Sequence, residues 1–179
     1  SLPNPIGEGV GRKIEIENPV HKYVEFLKST VDVDFAGMKI ALDCANGASY
    51  EAAPMVLKEL GAEVTVINDK PDGININKNC GSTHTESLRK LVVDIGADVG
   101  LAFDGDADRL IAVDENGEEV NGDHIMAIVA KHMKASGRLN KDTVVSTIMS
   151  NMGFEIACNR EGCKVVRTKV GDRYVLEEM

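Results

Sequence analysis

The stretch VGLAFDGDADRLIAV, residues 99–113, sets three acidic residues between two apolar runs. The apolar runs predict two short strands, which places Asp104, Asp106 and Asp108 on the loop between them. Only small residues separate the three aspartates, so the backbone can curl until all three carboxylates face one cation. Acidic surface runs are seldom flanked by apolar strands on both sides. The stretch therefore predicts a metal site at the end of a buried strand.

The ligand types indicate which metal the loop would hold. Carboxylate oxygens with no neighbouring His or Cys favour a hard divalent cation, Mg²⁺ or Ca²⁺, over Zn²⁺. Arg109 follows the third aspartate directly, and metal binding alone does not explain a guanidinium there. A guanidinium forms charge-assisted hydrogen bonds to phosphate. We therefore expect Arg109 to contact a phosphate group that is held at the same metal.

Other interpretations of the acidic loop remain open at this point. The three aspartates and Glu115 fall at ligand positions of an EF-hand calcium loop, but Arg109 takes the place of its glycine and the flanks are predicted strands. A calcium-binding interaction module is one alternative function. A phosphatase that uses Asp104 as nucleophile and Asp106 as acid is another.

Strands and helices alternate along the chain on both sides of the loop. Strands are predicted at 38–42, 64–67, 98–103 and 110–114, and helices at 50–60, 85–95 and 122–134. This order is typical of an α/β fold with a mixed, mainly parallel sheet and flanking helices. Ligands of such sheets bind beyond the carboxyl ends of the strands, which is where the acidic loop lies.

The strand–helix order starts again in the last part of the chain. Strands are predicted at 142–148 and 163–167, and helices at 151–160 and from 172. We expect a connector at 1–17, an α/β metal-binding domain at 18–135 and the incomplete start of a second, similar α/β domain at 136–179. Asn18 and Pro19 are predicted to open the first helix as its N-cap and first residue.

Composition restricts the possible partners. The formal charge of −9 argues against nucleic-acid binding, and neither a signal peptide nor a membrane-length apolar run is present. The four cysteines form no CxxC pair, which predicts reduced, buried thiols rather than a zinc site or a disulfide framework. We expect a cytoplasmic protein with no membrane partner.

Several motifs resemble one enzyme family. DGDADR at 104–109 resembles the metal-binding loop of the α-D-phosphohexomutases, which move phosphate between the 1 and 6 positions of hexoses. NIN at 75–77, CGSTH at 80–84, MSNMG at 149–153 and KVGDRYV at 169–175 resemble the amino-sugar branch of that family more than its phosphomannomutase branch. The resemblance implies that the chain covers domain 2 and the start of domain 3 of a four-domain enzyme.

The resemblance also implies roles for individual residues. Mg²⁺ would be held by Asp104, Asp106 and Asp108, and Arg109 would contact the phosphate of a phosphoserine from domain 1. The substrate would be contacted by residues of domain 3, namely Lys169, Gly171, Asp172, Arg173, Ser150 and Asn151. Three of these have a structural alternative, because Asp172, Ser150 and Asn151 could each cap a helix.

The implied reaction is an isomerisation of glucosamine 6-phosphate and glucosamine 1-phosphate through a bisphosphate. Phosphomannomutase or phosphoglucomutase activity is the alternative within the family. The family's phosphoserine loop, sugar-reading loop and C-terminal phosphate-binding loop have no counterpart in this sequence. We therefore expect an isolated fragment to be inactive and to need domain 1, the rest of domain 3 and domain 4 as partners. The resemblance leaves a homodimeric parent protein open.

Overall fold

The larger of two sheets contains five strands in the computed structural model, which describes residues 4–179. These strands are β1 (Lys39–Asp43), β2 (Glu63–Ile67), β3 (Val99–Phe103), β4 (Leu110–Val113) and β5 (Glu119–Val120). Their order across the sheet is β2-β1-β3-β4-β5. β1 runs parallel to both β2 and β3, whereas β3, β4 and β5 pair antiparallel. The predicted mixed, mainly parallel α/β architecture is confirmed.

Six α-helices accompany the strands in the described part of the chain, residues 4–179. They are α1 (Pro19–Ser29), α2 (Ala52–Glu59), α3 (Glu86–Ile95), α4 (Gly122–Ala135), α5 (Met152–Arg160) and α6 (Asp172–Glu178). Asn18 and Pro19 occupy the predicted N-cap and first positions of α1, but the predicted side-chain cap is absent. Asn18 precedes α1 with a left-handed backbone, φ 50° and ψ 52°, instead of the extended one that side-chain capping requires, and its side chain makes no capping bond. Within residues 4–179, no helix is long and apolar enough to cross a membrane.

The central strand β1 is covered on both faces. Ala41 packs with Leu88 and Val92 of α3 on one face, while Leu42 packs with Ala53 of α2 on the other. Adjacent strand residues point to opposite faces of the sheet. Because both faces are covered, every residue of β1 after Lys39 is buried. This double cover fixes the carboxyl ends of β1 and β3 side by side, which is where the acidic loop begins.

The four cysteines are free and buried, as predicted. Cys44 lies directly after β1 among the side chains that pack under α2. Burial raises the pKa of its thiol to about 12. A thiol with such a pKa stays protonated at neutral pH and acts as a small apolar side chain.

A second, two-stranded parallel sheet follows α4. It consists of β6 (Thr143–Thr147) and β7 (Lys164–Thr168). Its core contains Phe154, Cys158 and Cys163, with Met126 and Ala127 of α4 packed against them. Because β5 belongs to the first sheet and α4 contributes to the core of the second, we propose a domain boundary at residue 121, whereas the sequence predicted one after residue 135.

The acidic loop joins β3 to β4 as a tight antiparallel connection. Phe103 pairs with Leu110, so the six residues between them form the whole loop. Strands on both sides are incompatible with an EF-hand, which requires flanking helices.

Candidate metal centre

The three loop aspartates converge as the sequence predicted. One carboxylate oxygen from each of Asp104, Asp106 and Asp108 lies within 4.8 Å of the other two. Asp104 is buried, whereas Asp106 and Asp108 are exposed. Ala107 adopts a left-handed backbone, φ 62°, which turns the chain between the second and third carboxylates. A donor set of three clustered carboxylates fits a hard divalent cation with open positions for a further ligand.

Asp104 is held in place by Arg109 at the other end of the loop. The Arg109 backbone N–H donates to Oδ1 of Asp104 at 3.1 Å, and its Nε donates to Oδ2 at 2.8 Å. Burial opposes ionisation of Asp104, but these two bonds and the guanidinium charge outweigh it and lower the pKa of that carboxyl. The Arg109 side chain is itself 69% exposed, so the rest of the guanidinium faces solvent.

Mutual repulsion acts on the exposed side of the cluster. The charge of Asp106 is the main cause that raises the pKa of Asp108, with burial and Asp104 adding to it. Arg109 reduces this repulsion, since its Nε lies 3.5 Å from Oδ1 of Asp108. One arginine does not balance three carboxylates, and the loop therefore carries excess negative charge that a cation would neutralise.

Backbone contacts with the segment that follows β1 also hold the acidic loop. The Gly105 carbonyl accepts the N–H of Ala48 at 2.8 Å. Gly47 approaches so closely that a Cβ on it would lie 2.7 Å from the Cα of Gly105. A Cβ on Gly105 would in turn lie 2.7 Å from the side chains of Asn77 and Ile76. The segment at 46–48 thus supports the acidic loop.

Sequence reasoning missed one residue of this region, Asp43. It is the last residue of β1 and is fully buried. Its Oδ1 accepts the N–H of Ala45 at 2.8 Å, and its Oδ2 accepts the N–H of Gly81 at 2.9 Å. The first bond is a local turn that an aspartate before Cys-Ala-Asn-Gly could have suggested. The second joins residues 38 positions apart and has no local signal.

The predicted substrate residues of the second sheet lie at its carboxyl edge. Lys169 follows β7, and its Nζ is 5.8 Å from the ring centroid of Tyr174. Arg173 donates from Nε to Glu177 at 2.7 Å. The alternative role of Asp172 as a helix cap was wrong, because Gly171, φ 134°, occupies the N-cap position and Asp172 is the first residue of α6.

Ser150 and Asn151 follow β6 at the same edge, next to the end of β7. The Asn151 side chain accepts the N–H of Phe154 at 2.9 Å, which confirms its alternative role as the N-cap of α5. Its backbone N–H donates to Asp123 at 3.0 Å. Among residues 4–179, no hydrogen bond or ion pair connects these residues or the 169–173 segment with the acidic loop.

Two family models match the chain over most of its length. "Phosphoglucomutase/phosphomannomutase, alpha/beta/alpha domain II" matches residues 21–117, and domain III of the same family matches residues 121–179. The chain is 62% identical over 175 residues to the phosphoglucosamine mutase of Acetivibrio thermocellus, which is 98% of this chain and 39% of that protein. It is 60% identical over 178 residues to that of Clostridium novyi, which is 99% of this chain and 40% of that protein. The chain thus spans about 40% of the length of these curated relatives.

Solved structures show the same fold. A phosphoglucomutase/phosphomannomutase family protein from Burkholderia thailandensis superposes with a TM-score of 0.72 at 22% identity, over 89% of this chain and 35% of that one. Parafusin, a phosphoglucomutase from Paramecium, superposes with a TM-score of 0.63 at 16% identity, over 84% of this chain and 29% of that one. With matches to two successive domain models, the chain belongs to the phosphoglucomutase/phosphomannomutase family and carries sequence of its domains II and III.

Proposed function

We propose that the chain is the metal-binding part of an isomerase that interconverts glucosamine 6-phosphate and glucosamine 1-phosphate. A phosphoserine outside residues 1–179 gives its phosphoryl group to O1 of the sugar, which produces the bisphosphate. The bisphosphate then returns its O6 phosphoryl group to the serine. No phosphoryl group is gained or lost over the cycle, and the serine is phosphorylated again at its end.

The observation that carries this proposal is the carboxylate cluster with its adjoining arginine. Phosphoryl transfer depends on positioning and charge neutralisation more than on covalent chemistry by the protein. Asp104, Asp106 and Asp108 offer clustered oxygen ligands, and Arg109 adds a cation beside them. Mg²⁺ bound to the three carboxylates would neutralise charge on the phosphoryl group in transfer. The sugar is inferred from relatives named phosphoglucosamine mutase that are about 60% identical.

Arg109 has the geometry for a phosphate partner. Its Nε and backbone N–H hold Asp104, which leaves the terminal nitrogens of the exposed guanidinium for another anion. A planar guanidinium can donate two parallel bonds to one phosphate. In our proposal Arg109 therefore orients Asp104 and binds the phosphoserine phosphate at the same time.

The residues at the edge of the second sheet are proposed to contact the sugar phosphate. Lys169 and Arg173 supply positive charge on either side of Gly171, whose positive φ starts α6. Asp172 and Ser150 supply polar groups at the same edge. The side-chain oxygen of Asn151 already accepts the N–H of Phe154, so its contribution would come through its amide donors.

A mutase assay on the complete gene product tests this proposal. Glucosamine 6-phosphate, mannose 6-phosphate and glucose 6-phosphate are compared at equal concentration, with Mg²⁺ and with chelator, after phosphorylation of the serine is verified. Preference for glucosamine 6-phosphate that is lost with chelator supports both sugar and metal. Preference for another hexose favours phosphomannomutase or phosphoglucomutase activity. No turnover of any sugar, with tight Ca²⁺ binding, favours a calcium-binding module and contradicts the proposal.

A further inference from the structure

We propose that Asp43 is a positioning residue that holds the metal loop in its binding conformation, an inference that rests on the proposed metal site. Asp43 is fully buried at the carboxyl end of the central strand and is not one of the clustered ligands. A buried carboxyl group is costly unless its oxygens are hydrogen-bonded, so its presence calls for a structural reason. The reason is found in the two backbone segments that it joins.

The two oxygens of Asp43 bind different segments of the chain. Oδ1 accepts the N–H of Ala45 in the loop after β1, and Oδ2 accepts the N–H of Gly81 in the long loop after β2. Both donors have left-handed backbones, φ 53° at Ala45 and φ 75° at Gly81. In a residue other than glycine, such as Ala45, this conformation persists where surrounding contacts hold it. Asp43 therefore fixes the backbone of two loops at one point.

Each of these loops contacts the acidic loop near Asp104. On one side, Ala48 donates to the Gly105 carbonyl and Gly47 packs on the Gly105 backbone. On the other side, Gly81 lies so close to the chain that a Cβ on it would lie 2.5 Å from the carbonyl oxygen of Phe103. Phe103 and Gly105 are the two neighbours of the buried ligand Asp104. Asp43 thus acts on the ligand through backbone on both sides.

An Asp43→Asn variant isolates this effect with almost no change in volume. An amide has one accepting oxygen and one donating nitrogen, so it cannot accept both N–H groups as the carboxylate does. The side chains of the apolar core are untouched. The matched control is Asp98→Asn, because Oδ2 of Asp98 accepts the N–H of Lys39 at 2.7 Å at the opposite end of the same parallel strands.

Mn²⁺ binding to the complete gene product, followed by electron paramagnetic resonance of free Mn²⁺, provides the test. We expect the dissociation constant to rise about tenfold or more in Asp43→Asn and to stay within about twofold in Asp98→Asn, because supporting partners of metal ligands typically contribute 10- to 100-fold. Equal affinities in wild type and Asp43→Asn would overturn the inference and leave the metal site standing. A wild type that binds no Mn²⁺ would overturn the proposed function itself.

A second measurement needs no variant and covers the case in which Asp43→Asn does not fold. If Asp43 couples its two loops to the metal loop, a bound metal must in turn stabilise the bonds that Asp43 accepts. We expect Mg²⁺ to slow hydrogen exchange of the Ala45 and Gly81 amides in the wild type and to leave the Lys39 amide unchanged. Unchanged exchange at Ala45 and Gly81, under Mg²⁺ saturation, would contradict the inference.

Discussion

Arg109 donates from Nε to Oδ2 of Asp104 at 2.8 Å and from its backbone N–H to Oδ1 at 3.1 Å, so one residue holds both oxygens of the buried carboxylate. The two residues are the ends of the loop that joins β3 and β4. Their contact closes the loop in which one carboxylate oxygen each of Asp106 and Asp108 lies within 4.8 Å of one of Asp104. The arginine therefore shapes the site as well as adding positive charge to it.

Replacing Arg109 by Ala is expected to lower mutase turnover more than metal affinity. The exposed guanidinium is proposed to bind phosphate, and removal of one preorganised donor typically costs about 100- to 1000-fold in turnover. Steady-state kinetics and Mn²⁺ binding on the complete protein would measure both quantities. Arg138→Ala, which removes an exposed arginine bound to Ser136, is the control. Normal turnover of Arg109→Ala would rule out the proposed binding of phosphate by Arg109.

Replacing Asp106 by Asn is expected to reduce Mn²⁺ affinity by at least about tenfold while the fold remains intact. Asp106 is exposed, and its charge is the main cause of the raised pKa of Asp108. The substitution therefore removes a proposed ligand and at the same time relieves repulsion in the metal-free loop. Calorimetric metal titration and thermal unfolding would report the two effects separately. Unchanged affinity would contradict the assignment of Asp106 as a ligand.

Replacing Gly47 by Ala is expected to displace the acidic loop. The new Cβ would lie 2.7 Å from the Cα of Gly105, and backbone cannot yield as a flexible side chain can. Overpacking of this kind costs about 1–3 kcal/mol. Gly122→Ala is the control, since a Cβ there meets no atom within 4 Å. We expect reduced stability and reduced Mn²⁺ affinity in Gly47→Ala and neither change in Gly122→Ala. Equal stability and equal Mn²⁺ affinity of the two variants would show that the close approach of Gly47 to Gly105 is unimportant.

Asp114 gives a prediction for pH dependence. Its Oδ1 accepts the N–H groups of Glu118 at 2.8 Å and Asn116 at 2.9 Å, and these bonds lower its pKa below the usual 3.8. Because the folded-state pKa is lowered, the stabilisation is present above pH 3.8 and is lost as the pH falls through the folded-state value. Asp114→Asn should therefore be less stable than wild type at neutral pH, with the difference shrinking in acid.

Thermal unfolding from pH 7 down to about pH 3 would measure that difference. Asp94→Asn serves as the control, because Asp94 is an exposed residue of α3. A stability difference between wild type and Asp114→Asn that stays constant over this range would show that ionisation of Asp114 does not stabilise the hairpin.

Local patterns in the sequence were sufficient to predict most of the helices and strands and the cluster of aspartates. Apolar periodicity located the helices and strands to within a few residues, and alternate aspartates after an apolar strand identified the clustered carboxylates. Both features depend on neighbours in sequence. The start of α1 at Asn18 and Pro19 was predicted correctly, but the side-chain cap of Asn18 was not, because the backbone conformation decides whether the side chain can reach the helix amides.

Contacts between segments that are distant in sequence could not be predicted from local patterns. The bond of Asp43 to Gly81 and the approach of Gly47 to Gly105 join separate loops that the parallel strands bring to one edge. A helical pattern likewise does not reveal which sheet a helix covers. The apolar side of α4 fits either neighbour, and only its packing with Phe154 and Cys158 assigns it to the second sheet.

Anomalous diffraction from Mn²⁺-soaked crystals of the complete protein tests the central claim most directly, because it locates the metal without relying on activity. We predict one strong peak within coordination distance of Asp104, Asp106 and Asp108, which is weaker in Asp106→Asn crystals soaked at the same subsaturating concentration. A peak elsewhere, or no peak at the acidic loop under saturating Mn²⁺, would contradict the assignment of this loop as the metal site.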